Sequence, residues 1–207
     1  RAQKGGVISG EELLNVANTL LAARRLRKQI FDQQLRPTIS YLLADLVTLP
    51  KLEKLLRFGL EEGGRIADRA SKKLASMRYE IQSLSLFRKD QLNDILRKYP
   101  NIFQDTIIGS RYDRPVLSVK SGLSAQLPGI VHDTSSSGNT VFIEPQQLIP
   151  LGNSIAKLHA RIYKEEQQLL KQWSKEVANN FISLNHISNT ILKLDLALTR
   201  ARYGAFI

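Results

Sequence analysis

IADRASKKLASMRYEIQSLSLFRKDQLNDILRKY, residues 66–99, contains neither proline nor glycine, and its apolar residues Ala67, Ala70, Leu74, Met77, Ile81 and Leu84 follow at steps of three or four. That spacing is the seam of a coiled coil, a stripe that one helix turns toward another. Pro100, which has no N–H to give a helix, closes the run. The stretch therefore predicts one helix of about 34 residues, ~50 Å long at 1.5 Å per residue. A rod of that length cannot bury its own stripe, so a second one is required.

The same signal returns downstream. Leu148, Leu151, Ile155, Leu158 and Ile162 are followed by Leu169, Trp173, Val177 and Phe181, then by Leu184, Ile191, Leu194 and Leu198. Two long seams flanking a shorter insert are satisfied most simply by an antiparallel helical hairpin with the insert at its tip. Within Thr106–Glu144, Pro115–Val119 alternates, Gly129–Asp133 follows Pro128, and Asn139–Ile143 follows a Ser-Gly turn. These are three expected short strands. Upstream, Ser9 is placed as the N-cap of a helix running to Ile30, with Glu11 and Glu12 in its first turn. Its stripe is Leu13, Val16, Leu20 and Ala23, and Arg24, Arg25, Arg27 and Lys28 crowd its end; a second helix is expected over Leu52–Leu60 after Pro50.

With 207 residues and 43% hydrophobic content the chain can bury a core. Its apolar runs, such as Tyr41–Leu43 and Leu46–Val47, fall far short of the ~20 residues of a membrane span, so no membrane partner is expected. The absence of cysteine excludes a disulfide framework and thiolate metal sites, and suits a reducing cytoplasm. Starting at Arg1 on an ordinary helical pattern, the chain reads as a segment of a longer protein. A net charge of +11 points to a polyanionic partner, nucleic acid first. Residues 65–120 hold twelve basic and six acidic side chains, against ten and seven before them and eight and six after them.

Catalytic patterns are missing. The glycine pairs Gly5-Gly6 and Gly63-Gly64 lack the Lys-Ser/Thr of a phosphate-binding loop. His132, His159 and His186 stand 27 residues apart, without metal-ligand spacing. His132, Asp133, Ser135, Ser136 and Ser137 offer the residue types of an acyl-transfer triad, but neighbours on a strand diverge, and a Ser-rich turn closed by Gly138 and Asn139 accounts for them. Arg111-Tyr112-Asp113-Arg114, with Lys120 beyond, combines guanidinium forks suited to phosphate with an aromatic ring.

Several segments are specific enough to compare with a family. Gly64–Arg78 (GRIADRASKKLASMR) resembles the lever entry of the MutS family, in particular its second bacterial subfamily, MutS-like ATPases carrying a C-terminal Smr domain. Arg111–Lys120 (RYDRPVLSVK) and Gly129–Pro145 (GIVHDTSSSGNTVFIEP) resemble that subfamily's clamp, and Ser9–Leu14 (SGEELL) extends the likeness toward the start. The resemblance implies a mainly α fold with long antiparallel lever helices, a coiled-coil hairpin bearing a small β-rich clamp at its tip, and a helical core region. The expected parts are core 1–65, descending lever 66–101, clamp 102–145, and ascending lever with return to the core 146–207.

The resemblance further implies a non-catalytic, nucleic-acid-gripping portion of a dimeric ATPase. Its ligand would be branched DNA, in restraint of recombination, or stalled, collided ribosomes that are then split. No cofactor is expected within this chain; ATP and magnesium belong to an ATPase part outside it. Asp113 and Arg114 depart from the family's clamp strand, which runs from Arg-Tyr into apolar residues, so the strand is expected to start later and the direction of Arg111 stays open. Candidate nucleic-acid-binding residues are Arg111, Tyr112, Arg114, Lys120, Arg88, Lys89, Arg97 and Lys98. Arg111, Arg114 and Lys120 are expected to be dispensable for the core. The competing expectation is a structural coiled-coil module that grips a protein partner, with charge dispersed over its rods.

Overall fold

The computed structural model describes residues 5–31 and 46–204; the apolar run Tyr41–Leu43 lies outside them. The chain is mostly helical with one small antiparallel sheet, and it forms two compact units: Arg1–Leu74 with Lys164–Ile207, and Ala75–Tyr163. Among the described residues no helix is long and apolar enough to cross a membrane.

In the first unit, α1 spans Gly10–Phe31 and α2 spans Pro50–Gly59. Ser9 caps α1 as expected. Its Oγ accepts the Glu12 N–H at 3.2 Å while the Glu12 carboxylate accepts the Ser9 N–H at 2.9 Å, a reciprocal capping box. The buried stripe of α1 is Leu13, Ala17, Leu20 and Ala23, with Ala17 in the place assigned to Val16, which is half-buried. Pro50 begins α2 because a first-turn residue needs no N–H acceptor. Gly59, at the end of α2, lies against the Trp173 ring, which leaves no space for a Cβ.

The long helix expected from Ile66 begins instead at Lys72. Helix α3 runs Lys72–Lys98, 27 residues, ~40 Å. Ile66 pairs with Leu60 in an isolated β-bridge, the Ala67 N–H donates to the Gly59 carbonyl, and Asp68–Ala70 make a 3-10 turn. Ile66 and Ala67 are buried, but by this bridge and not by a helical stripe. Ser71 starts the helix by accepting the Leu74 N–H at 3.3 Å and donates its hydroxyl to Glu165, which Lys73 also grips at 2.7 Å. The Lys73 and Ser71 hydrogen bonds hold the Glu165 carboxyl below its ordinary range.

The glycine pair Gly63-Gly64 also has a structural use. Both residues have positive φ, 73° and 78°. Gly64 passes so close to Gly10 and Glu11 that a Cβ on it would overlap the Glu11 backbone nitrogen. Downstream, the expected second rod is two helices, α4 (Ile149–Asn179) and α5 (Phe181–Gly204). They break at Asn180, whose side-chain amide donates to the Glu176 carbonyl.

The second unit holds the sheet, and it has four strands where three were expected: β1 (Phe103–Arg111), β2 (Arg114–Lys120), β3 (Gly129–Thr134) and β4 (Thr140–Pro145), in the order β1-β2-β4-β3. Every pairing is antiparallel. One face buries Phe103, Leu117, Val119 and Ile143 with Leu92 and Ile95 of α3, and with Ile102, Leu127 and Leu148. The β3–β4 connection is the Ser-rich turn, with the Ser135 N–H bound to the Thr140 carbonyl and Gly138 at φ 71°.

Candidate nucleic-acid interface

The β1–β2 hairpin closes in two residues. Arg111 faces Arg114 across the last pair, and Tyr112 and Asp113 make the turn with φ 51° and 60°. A turn with both central residues left-handed matches the twist of its strands, but Asn-Gly is its usual sequence and tyrosine is rare there. The later strand start expected from Asp113-Arg114 is therefore present: β2 begins at Arg114, and Arg111 ends β1. Tyr112 stands 83% exposed at the apex.

Arg111 points across the sheet. Its Nε donates to Asp133 Oδ2 at 2.8 Å, and its guanidinium lies 4.2 Å from the Phe142 ring centre. The Arg111 hydrogen bond, joined by the Thr134 N–H, lowers the Asp133 carboxyl below its ordinary range. A folded-state value below the unfolded one means the link stabilises fully above the ordinary aspartate range and is lost as pH falls through the lowered midpoint. Carboxyl-carbon NMR titration is expected to give Asp133 a midpoint below that of free aspartate, returning upward in Arg111→Ala.

Arg114 does not match the expectation that it is dispensable for folding. It donates from Nη1 to Glu144 Oε1 at 3.2 Å and from Nη2 to Asn153 Oδ1 at 2.6 Å. The Glu144 side chain is 2% exposed, and its other oxygen meets His132 Nε2 at 2.8 Å. One guanidinium thus neutralises a buried carboxylate at the junction of β2, β3, β4 and the first turn of α4. Gly152 leaves space for it: a Cβ there would collide with Nη1. His132 and Asp133 diverge to Glu144 and Arg111 respectively, as strand neighbours should. The buried Glu144 was not among the candidate residues; no local pattern marks a carboxylate whose partner lies 30 residues away.

Lys120, at the far end of β2, is exposed and donates to the Asn101 carbonyl at 3.1 Å, three residues past Lys98. Arg97 is 82% exposed with only a 3.8 Å approach to Asp94, and Lys98 Nζ sits 5.3 Å from the Tyr99 ring centre. Lys89 is exposed and Arg88 half-buried. At 3.6 residues per turn, Arg88 and Lys98 share one side of α3 while Lys89 and Arg97 share the opposite side. The eight candidates therefore form no single stripe. They gather as a hairpin tip (Arg111, Tyr112, Arg114) and a basic end (Arg97, Lys98, Lys120), with Arg88 and Lys89 further back along α3. Beside the basic end, a cavity of about 500 Å³ opens between Ile95, Lys98 and Tyr99 on one side and Leu127, Pro128, Gln146 and Gln147 on the other.

Comparison with known proteins gives the lineage. No family model matches the chain. It is 37% identical over its whole length to Endonuclease MutS2 of Synechocystis sp., 36% identical over 99% of its length to Endonuclease MutS2 of Pelotomaculum thermopropionicum, and 34% identical over 99% to that of Clostridium perfringens. It covers 25%, 26% and 26% of those proteins respectively, so the chain spans about a quarter of the length of the curated relatives it matches.

Proposed function

The chain belongs to the MutS2 subfamily of the MutS family, and from that membership we propose that it is the non-catalytic lever and clamp portion of a MutS-like ATPase and grips structured nucleic acid. In this reading α3 and α4 are the paired levers and the four-stranded sheet is the clamp. The ligand is branched DNA, bound to restrain recombination, or the RNA of stalled, collided ribosomes. ATP and magnesium act in the part outside this chain, which also holds the homodimer contacts and the endonuclease activity that the relatives' name states. In the clamp, His132 and Glu144 are committed to holding strands together.

The observation that carries the proposal is the basic end of the second unit. Arg97, Lys98 and Lys120 at that end, and Lys89 further back along α3, are exposed, and among the described residues no buried carboxylate is paired with any of them. Tyr112 adds an exposed ring at the hairpin apex that can stack on a base. Arg114 is engaged within the fold, on Glu144 and Asn153.

The test is a binding series on branched DNA and on ribosomes at rising salt. Substituting Lys89, Arg97, Lys98 and Lys120 together with Ala is expected to leave the melting temperature nearly unchanged. It should flatten the salt slope of log affinity by about three to four units, since each lost phosphate contact removes close to one. Parent affinity indifferent to salt for both ligands would falsify the proposal. One observation favours the second reading, a module that grips protein: Tyr79, Leu86 and Phe87 are exposed on α3, at 73%, 65% and 56%. Crosslinking in cells from position 86 separates the two, protein adducts supporting the second and nucleic-acid adducts the first.

A further inference from the structure

The first unit contains a basic depression away from the candidate residues of the sheet and α3. Its volume is about 570 Å³, and its walls come from α1, α2 and the turn before α3: Arg24, Glu53, Lys54, Arg57, Phe58 and Arg69. Four cations face one carboxylate there, a surplus of three positive charges.

The two outer guanidiniums are fixed in place. Arg24 forms a two-pronged bridge to Glu53, Nε to Oε2 at 2.8 Å and Nη2 to Oε1 at 3.0 Å; the Glu53 side chain is 7% exposed, so the bridge neutralises a buried acid. Arg69 donates to the Phe58 carbonyl at 2.6 Å and the Leu60 carbonyl at 3.2 Å, which places its guanidinium 5.9 Å from the Phe58 ring centre. Between them, Lys54 and Arg57 are exposed and have no partner among the described residues. They stand three residues apart on α2, neighbours on one helix face at roughly 5–6 Å between Cβ atoms. Phe58, 54% exposed, presents an aromatic surface beside them.

Two unengaged cations one turn apart, flanked by preset guanidiniums and an open aromatic face, suit a chain of phosphodiesters with a base free to stack. We propose that this depression is a second nucleic-acid site, in which Lys54 and Arg57 contact consecutive phosphates and an unpaired base stacks on Phe58. The proposal rests on the reading of the chain as a nucleic-acid grip and adds a contact outside the clamp. DNA and RNA offer the same chemistry, so both are tested.

The chain is titrated with fluorescent branched DNA and with a structured RNA of equal charge, each with and without one unpaired base, over a salt series. Lys54→Gln with Arg57→Gln is expected to weaken both ligands about tenfold and to flatten the slope by about two units. Phe58→Ala should remove the preference for the unpaired base and leave paired ligands unchanged. A readout that needs no variant is acetylation of Lys54 in the parent chain, expected to be suppressed by bound DNA or RNA. If Lys54 stays equally reactive when the ligand is bound, or if the Gln pair binds as the parent does while the Lys89/Arg97/Lys98/Lys120 variant fails, the site is wrong and the clamp reading stands. Protection of Lys54 by poly-glutamate but by neither nucleic acid also overturns it, in favour of an acidic protein ligand. If the parent binds neither nucleic acid, both readings fall together.

Discussion

Gly64→Ala is expected to lower the stability of the first unit by roughly 4 kcal/mol, while Gly63→Ala next to it costs about 1 kcal/mol. Both glycines carry positive φ, so both substitutions incur the penalty that a side chain meets in the left-handed region. They differ in surroundings. Among the described residues nothing lies within 4 Å of a Cβ built on Gly63, whereas one on Gly64 overlaps the backbone at the start of α1. Backbone cannot yield as a flexible side chain does, so relief requires α1 and its Ser9–Glu12 capping box to shift. A thermal melt should show a drop on the order of 10 °C for Gly64→Ala and a few degrees for Gly63→Ala. Equal melting temperatures for the two variants would show that the α1 contact carries no weight.

Arg114→Ala is expected to cost about 3 kcal/mol, because it removes the cation from a buried carboxylate whose remaining side-chain partner among the described residues is the His132 ring. The same change in a Glu144→Gln background should cost much less, since a neutral amide needs no counter-charge. A double-mutant cycle by urea denaturation measures this coupling. Were Arg114 a free phosphate ligand, its loss would leave the urea midpoint unmoved and weaken binding alone, and the coupling to Glu144 would vanish. Arg111→Ala supplies the contrast. Its partner Asp133 is 46% exposed, and water can replace the lost guanidinium.

Much of the architecture is written locally. The Ser9 cap, Pro50 at the head of α2 and the Ser-rich turn before β4 are signals carried by one to five adjacent residues, and each is found where its chemistry puts it. The start of α3 was missed because Ile66 and Ala67 continue a three-to-four spacing while being buried by a bridge to residues before them. Asp68 and Ser71, both turn and cap formers, were the available warning. Strand β1 was missed for a different reason. It is an edge strand with a register shift between Phe103 and Ile108, and most of its side chains face solvent, so FQDTIIGSR shows no alternation.

The candidate site was legible as composition but not as arrangement. Counting cations placed the excess in residues 65–120. Which cations are spent inside the fold depends on pairings across 22 and 30 residues, Arg111 to Asp133 and Arg114 to Glu144. Nor could the sequence separate Lys54 and Arg57 from Lys51, the other basic residue of α2, because the fixed guanidiniums that frame them come from α1 and from the turn before α3.

The order β1-β2-β4-β3 also bears on how quickly the sheet can assemble. Each outer strand is joined to its inner neighbour by a short turn, so two hairpins can close on the microsecond scale of local contacts. The seam between β2 and β4 is different: it must close the intervening segment that carries the 3-10 turn Ser121–Gln126 and all of β3. Loop closure grows only slowly more costly with length, by about 0.6 kcal/mol per doubling, so this one non-local seam adds little delay. The topology thus confines the non-local search to a single meeting of two preformed ribbons, and that meeting completes the Leu117–Ile143 centre of the core.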